Sequence, residues 1–69
     1  MLARDAAIAA GLPAKLAYTA KETAKYSGVG YRTILDEVAA GRLRAKTYNG
    51  NLRGFLIQPE WLDEWMERG

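Results

Sequence analysis

The feature that most constrains this chain is a glycine-rich break at residues 27–30, which separates two short segments with helical patterns. Before the break, Thr19 and Glu22 have the spacing of a capping box, in which each side chain accepts a hydrogen bond from the other residue's backbone N–H. This pattern predicts a helix over residues 20–26. The sequence Ser-Gly-Val-Gly then ends that helix, because glycine adopts the positive φ angles of tight turns. A second helix, predicted over residues 31–40, completes a helix-turn-helix layout.

The residues after the second helix predict a β-hairpin and a last helix. Gly41 has the position of a left-handed helix cap, and an Asn-Gly-Asn sequence lies between two alternating segments, residues 43–48 and 52–57. Asn-Gly is typical of hairpin turns because it tolerates positive φ angles. Pro59 then opens a C-terminal helix. The core is expected to contain Tyr18, Leu43, Phe55, Ile57, Trp61, Leu62 and Trp65.

These elements predict an α+β fold of the small winged-helix kind, with a helix-turn-helix, a β-hairpin wing and a C-terminal helix. We expect residues 15–69 to form this domain. Residues 1–14, which include the helix-stopping Pro13, are expected to form a short N-terminal helical extension. A chain of 69 residues has room for one core.

The chain contains no cysteine and no histidine. This composition excludes disulfide bonds, thiolate metal sites and imidazole general bases, so we expect no enzyme, no cofactor and no metal site. No run of residues approaches the roughly 20 apolar positions of a membrane-spanning helix. We therefore expect a cytoplasmic protein that has no membrane partner and no small-molecule ligand.

The charge is unevenly distributed along the chain. Residues 15–53 contain eight basic and three acidic side chains, a net charge of +5, whereas residues 54–69 contain four acidic side chains and one basic, a net charge of −3. This distribution suits a polyanion on one side of the protein and a basic partner, or a second copy, on the other. An ordinary solvated surface would have the same composition.

The second helix of a helix-turn-helix is the one that enters the DNA major groove. Tyr31, Arg32 and Thr33 occupy its first turn, where side chains reach base edges or nearby phosphates, and Arg32 can pair with guanine. Asp36 lies one turn later and can accept a hydrogen bond from cytosine. The alternative for Asp36 is a local ion pair with Arg32.

Basic side chains also mark the hairpin, and we expect the core to separate them from the acidic C-terminal helix. We expect the hairpin to contact the DNA backbone or minor groove, whereas the alternative is a solvated strand edge protected by charge. The residues assigned to phosphate and wing contacts are Lys21, Arg44, Lys46, Asn49, Asn51 and Arg53.

Most of the chain, residues 17–66, resembles the excisionase-type helix-turn-helix family, a relative of the MerR-like winged-helix regulators. The order and spacing of several short motifs carry the resemblance. Gly30 departs from the Ser or Thr helix cap usual in that family, and Leu56 departs from a frequent basic wing residue. The matching motifs are Tyr18-Thr19-Ala20-Lys21-Glu22-Thr23-Ala24, Gly28-Val29, Tyr31-Arg32-Thr33-Ile34, Gly41-Arg42-Leu43, and Ile57 followed by Leu62 and Trp65.

The resemblance implies an excisionase, or recombination directionality factor, of a temperate phage or integrating plasmid. The Arg- and Ala-rich composition suits a GC-rich host such as an actinobacterium, and the resemblance implies a protein associated with the nucleoid of a bacterial cell. Such a protein binds adjacent repeats in double-stranded DNA, bends the DNA and directs a phage integrase toward excision. The implied base-contact positions are Tyr31 and Arg32, and the implied phosphate positions are Lys21, Arg44, Lys46 and Arg53.

We also expect head-to-tail self-association on DNA, through two surfaces to which the sequence assigns no other contact. One is the short apolar helix, and the other is the acidic C-terminal helix. Two other functions remain open at this point: a small phage or plasmid transcription regulator of the same fold, and an adaptor that uses its acidic helix to bind a basic protein. The residues assigned to protein contacts are Leu2, Ile8, Leu12, Glu60, Asp63, Glu64 and Glu67.

Overall fold

Four helices and a three-stranded antiparallel sheet form the described part of the chain, residues 2–48 and 51–68 of a computed structural model. The α+β prediction is therefore confirmed. In chain order the elements are α1 (Ala3–Ala9), β1 (Tyr18–Thr19), α2 (Ala20–Ser27), α3 (Tyr31–Ala39), β2 (Lys46–Tyr48), β3 (Asn51–Ile57) and α4 (Pro59–Arg68).

The predicted capping box at the start of α2 is confirmed. The Glu22 N–H donates to the Thr19 hydroxyl over 3.1 Å, and the Thr19 N–H donates to the Glu22 carboxylate over 3.0 Å. Lys15 also donates to that carboxylate, and this hydrogen bond contributes most to lowering the pKa of Glu22. Gly28 ends the helix with a φ of 77°, in the left-handed region that favours glycine. The turn therefore holds α3 at a fixed orientation to α2.

The strand β1 was not predicted from the sequence. Tyr18 pairs with Ile57 and Thr19 with Leu56, so β3 lies in the centre of the sheet, between β1 and the edge strand β2. Two residues are too few to show a β pattern, and β1 forms only because β3 supplies the backbone partners. This pairing ties the start of the helix-turn-helix to the hairpin.

The hairpin is less regular than its sequence predicts. Tyr48 pairs with Asn51 and Lys46 with Leu56, so β3 contains extra residues relative to β2. The second strand begins one residue earlier than predicted, because the backbone of Asn51 belongs to β3. Asn49 lies outside the described residues, as do the side chains of Asn51 and Arg53.

One core joins all the helices. Its fully buried side chains include Tyr18, Ile34, Leu43, Ile57 and Leu62, while both tryptophans are half-buried at its edge. The helix α1 shares this core, because Ala3 and Ala7 are buried against it. The sequence predicted Leu2, Ile8 and Leu12 as the apolar side of α1. Leu12 packs against the core, whereas Leu2 and Ile8 are exposed.

Candidate nucleic-acid interface

The first turn of α3 is the most exposed part of that helix. Tyr31, Arg32 and Thr33 are exposed, and the Arg32 side chain retains 87% of its accessible surface. Ile34, the next residue, is fully buried and anchors the helix to the core. The buried and exposed faces therefore agree with the helical periodicity of the sequence, and three polar or aromatic side chains project from one end of α3 into solvent.

An open groove of about 790 Å³ runs along the exposed side of α3. The start of α2 and the strand β3 form its other walls. Lys21, Arg32 and Asp36 supply charged groups, whereas Leu35, Phe55 and Leu56 supply apolar surface. The groove thus brings together three segments that are far apart in the sequence, with a basic group at the start of each of two helices.

Leu35 was missed as a site residue. Leu35 follows Tyr31 by four residues, so both lie on one helical face. This spacing could have predicted that Leu35 belongs to the site. Leu56 was noted only as a departure from the resembled family. Its place in the groove depends on the pairing of β3 with Thr19, which the sequence did not predict.

Arg32 and Asp36 form a local ion pair, which is the alternative to a cytosine contact for Asp36. The Arg32 Nε and an Asp36 carboxylate oxygen are 3.5 Å apart, and both side chains are largely exposed. An exposed pair of this kind is weak because solvent screens it. It therefore leaves the Arg32 guanidinium able to exchange Asp36 for an acceptor on a nucleic acid.

The hairpin cations do not all face away from acidic groups. Lys46 is exposed on β2, and Arg44, just before that strand, is exposed as well. However, the Arg44 guanidinium lies 3.8 Å from the carboxylate of Glu64 on α4. The expectation that the core separates the basic hairpin from the acidic helix is therefore wrong for Arg44.

The acidic helix is not an unoccupied surface either. The Arg4 guanidinium donates two hydrogen bonds of 2.8 Å to Glu60, and the Ala3 N–H donates to Asp63 over 2.8 Å. Arg4 is the main cause of the lowered pKa of Glu60. These contacts join α1 to α4, so Glu60 and Asp63 already have partners within the fold. Glu67 is exposed. Whether these residues also bind a protein stays a prediction.

A polar network at the end of α3 was not predicted. Glu37 accepts hydrogen bonds from Arg42, the shortest of them 2.6 Å, and from the Trp65 indole over 2.8 Å. The Arg42 contact is the first cause, and the Trp65 contact the second, of a lowered pKa at Glu37. The network links α3 to α4 across 28 residues of sequence, a distance that no local pattern reveals.

Within the described residues, no group of three potential metal-ligating side chains comes together. None of the helices there has the length and apolar character needed to cross a membrane. Comparisons with models of protein families, with curated proteins and with solved structures found no match to this chain. The interpretation of the groove therefore depends on its own geometry and chemistry.

Proposed function

We propose that this chain is a winged-helix protein that binds double-stranded DNA, with α3 in the major groove and the β2–β3 hairpin as the wing. The observation that carries the proposal is the groove, which has the exposed first turn of α3 and Lys21 on one side and the hairpin on the other. A helix-turn-helix docks on a duplex with this end of its second helix. The three-stranded sheet supports the proposal, because β1 fixes the wing beside the helices.

The groove chemistry fits a nucleic acid. Arg32 presents a planar group with five N–H donors, which matches the two acceptors of a guanine edge. Lys21 is exposed at the start of α2, where a backbone phosphate would also meet the partial positive charge of the helix end. The apolar surface of Leu35 and Leu56 suits thymine methyl groups and deoxyribose. DNA offers these apolar groups and the anionic backbone together.

The biological role that we propose is architectural. As in the excisionases that the sequence resembles, several copies would occupy adjacent repeats, bend the duplex and direct a phage integrase toward excision. Bending a site of 20–30 base pairs costs of order 1–6 kcal/mol, which contacts from both α3 and the wing can offset.

The proposal is tested with a duplex selected from a random-sequence pool by the wild-type chain. We expect Arg32→Ala to lower affinity for the selected duplex by roughly 1–3 kcal/mol and to affect an unrelated duplex much less. Equal losses on both duplexes would assign Arg32 to phosphate contact. Failure of the wild-type chain to retain any duplex at low salt would exclude DNA binding.

The wing is tested by salt dependence. Replacing Lys46 and Arg53 together by alanine should reduce the slope of log K against log salt by about 0.9 for each lost phosphate contact. An unchanged slope would show that the wing does not touch the DNA backbone.

A further inference from the structure

A second concavity, of about 320 Å³, lies beside the edge strand β2. It is separate from the base-reading end of α3, and its walls are the turn after α3, the residues that lead into β2, and the last turns of α4. Arginine dominates its polar lining, with Arg42, Arg44 and Arg68 around one acidic residue, Glu64.

Arg44 and Arg68 share the single carboxylate of Glu64. Their guanidinium nitrogens lie 3.8 Å and 3.5 Å from the same Glu64 oxygen, within ion-pair range but longer than a good hydrogen bond. All three side chains are substantially exposed, with 64%, 60% and 44% of their surface accessible. Two cations thus face one loosely held anion at the protein surface.

Arg42 has a different role. Its guanidinium is committed to Glu37 over 2.6 Å, and its backbone carbonyl accepts a hydrogen bond from Arg68 over 3.1 Å. Arg42 therefore positions Arg68 through its backbone. Arg44 and Arg68, whose contacts to a carboxylate are longer than those of Arg42, are the two arginines better placed to bind a ligand.

We propose that Arg44 and Arg68 bind one phosphate group of the DNA backbone, and that Glu64 occupies their site as an intramolecular substitute for that phosphate. The inference rests on the proposed function and adds a second contact surface to it. A backbone phosphate presents two non-bridging anionic oxygens, one for each guanidinium group, and arginine forks match this geometry. Since exposed ion pairs are weak, a backbone phosphate can compete with Glu64, and the carboxylate lowers the occupancy of the site by phosphate in the wild type.

The position of the pair fits the same duplex that α3 would read. Helix α3 and its cap extend about 15 Å from the first turn to the turn at Gly41, at 1.5 Å per residue. The major groove is about 12 Å wide. If the first turn of α3 lies at the base edges, the Arg44 and Arg68 pair, which lies beyond the other end of the helix, reaches the sugar-phosphate backbone that flanks the major groove. Each added phosphate contact outside the groove would draw the flanking DNA toward the protein.

The experiment compares Glu64→Gln with Glu67→Gln, which removes the same charge from the same helix one turn away. Both variants are first checked for an unchanged fold by circular dichroism. We expect Glu64→Gln to bind a duplex with a salt slope steeper by up to about 0.9, roughly a 3.5-fold larger change in affinity between 50 and 200 mM salt. Glu67→Gln should stay close to the wild type, and adding Arg68→Ala to Glu64→Gln should abolish the gain.

The outcomes separate the two proposals. Equal effects of Glu64→Gln and Glu67→Gln, with Arg32→Ala still weakening binding, would overturn the phosphate site and leave the proposed function standing. Absence of duplex binding by every variant would overturn both. Inorganic phosphate at equal ionic strength provides a further arm: if it shifts the Arg44 and Arg68 side-chain NMR signals as strongly as the duplex does, the site binds free anions and the DNA assignment is wrong.

Discussion

Thr23 and Tyr26 place two hydroxyl groups in the interior, one helical turn apart on α2. Neither hydroxyl has a hydrogen-bond partner of good geometry within residues 2–48 and 51–68. Burial raises the pKa of Tyr26 to about 12, and the nearby Thr23 hydroxyl opposes part of that rise. Buried polar groups without a partner destabilise a fold.

We therefore expect Thr23→Val to raise the free energy of unfolding by about 1 kcal/mol, because it removes a desolvated hydroxyl while keeping the side-chain shape. Urea unfolding followed by circular dichroism measures the change. Thr33→Val, at an exposed position on α3, is the matched control and should give no gain. A loss of stability in Thr23→Val would show that the hydroxyl is satisfied, for instance by a bound water.

Asp36 gives a prediction about affinity. Asp36→Asn removes the ion pair with Arg32 and a repulsion toward phosphate, so binding to DNA should become at least about twofold tighter. Asp5→Asn makes the same charge change on α1, which contributes no residue to the groove, and should have a smaller effect. Fluorescence anisotropy titrations compare the two variants. Weaker binding of Asp36→Asn to the selected duplex alone would instead indicate that Asp36 contacts a base.

At the scale of elements, the helices are joined by carboxylates whose partners come from other segments. Glu37 connects the end of α3 to α4 through Trp65, and Glu60 connects α4 to α1 through Arg4. Hydrogen bonds from Arg42 and, second, from Trp65 lower the pKa of Glu37, and hydrogen bonds from Arg4 lower the pKa of Glu60, in both cases below the ordinary value of 4.5. Because the folded state lowers both pKa values, these groups stabilise the fold fully above that ordinary value. Their contribution is lost as the pH falls through the folded pKa.

The indole of Trp65 reports on Glu37 directly. In a Trp61→Phe background, we expect the fluorescence of Trp65 to titrate with an apparent pKa below 4.5, as protonation weakens the hydrogen bond to Glu37. Adding Glu37→Gln should remove this titration. Circular dichroism at each pH distinguishes it from unfolding. An apparent pKa at or above the ordinary value would contradict the geometry of the network.

For the whole molecule, the packing of α1 decides which of its side chains are available for the proposed association of copies on DNA. Because Ala3 and Ala7 belong to the core, deleting residues 1–14 would damage the fold together with any interface. Leu2 and Ile8 remain exposed, at 63% and 47%, while Leu12 is turned toward the core. Leu2 and Ile8 are therefore the side chains with which head-to-tail association can be tested.

We expect the wild-type chain to fill duplexes with two or more sites cooperatively, and Leu2→Gln combined with Ile8→Gln to reduce that cooperativity while leaving single-site affinity unchanged. A contact of about 1.4 kcal/mol between neighbours would raise adjacent-site affinity tenfold. Gel-shift titrations on one, two and three sites measure it. Independent filling by the wild type, or a symmetric dimer in solution without DNA, would refute the assembly.

The sequence by itself determined the features that depend on neighbours within about four residues. The capping box at Thr19, the stop at Gly28 and the exposed first turn of α3 all follow from local hydrogen bonding, allowed φ angles and helical periodicity. The alternation in the hairpin likewise placed Phe55 and Ile57 in the core.

Only the tertiary structure decided which distant segments meet. β1 is a strand because β3 pairs with it, and α1 is part of the core because Ala3 and Ala7 are buried there. Asp63 accepts a hydrogen bond from the first N–H of α1 across 60 residues of sequence. The pairing of Arg44 with Glu64 likewise turned a predicted wing cation toward the acidic helix. Such contacts form only when whole elements pack against each other. Because the free energy of packing depends on the assembled core, no local sequence pattern predicts which distant residues meet.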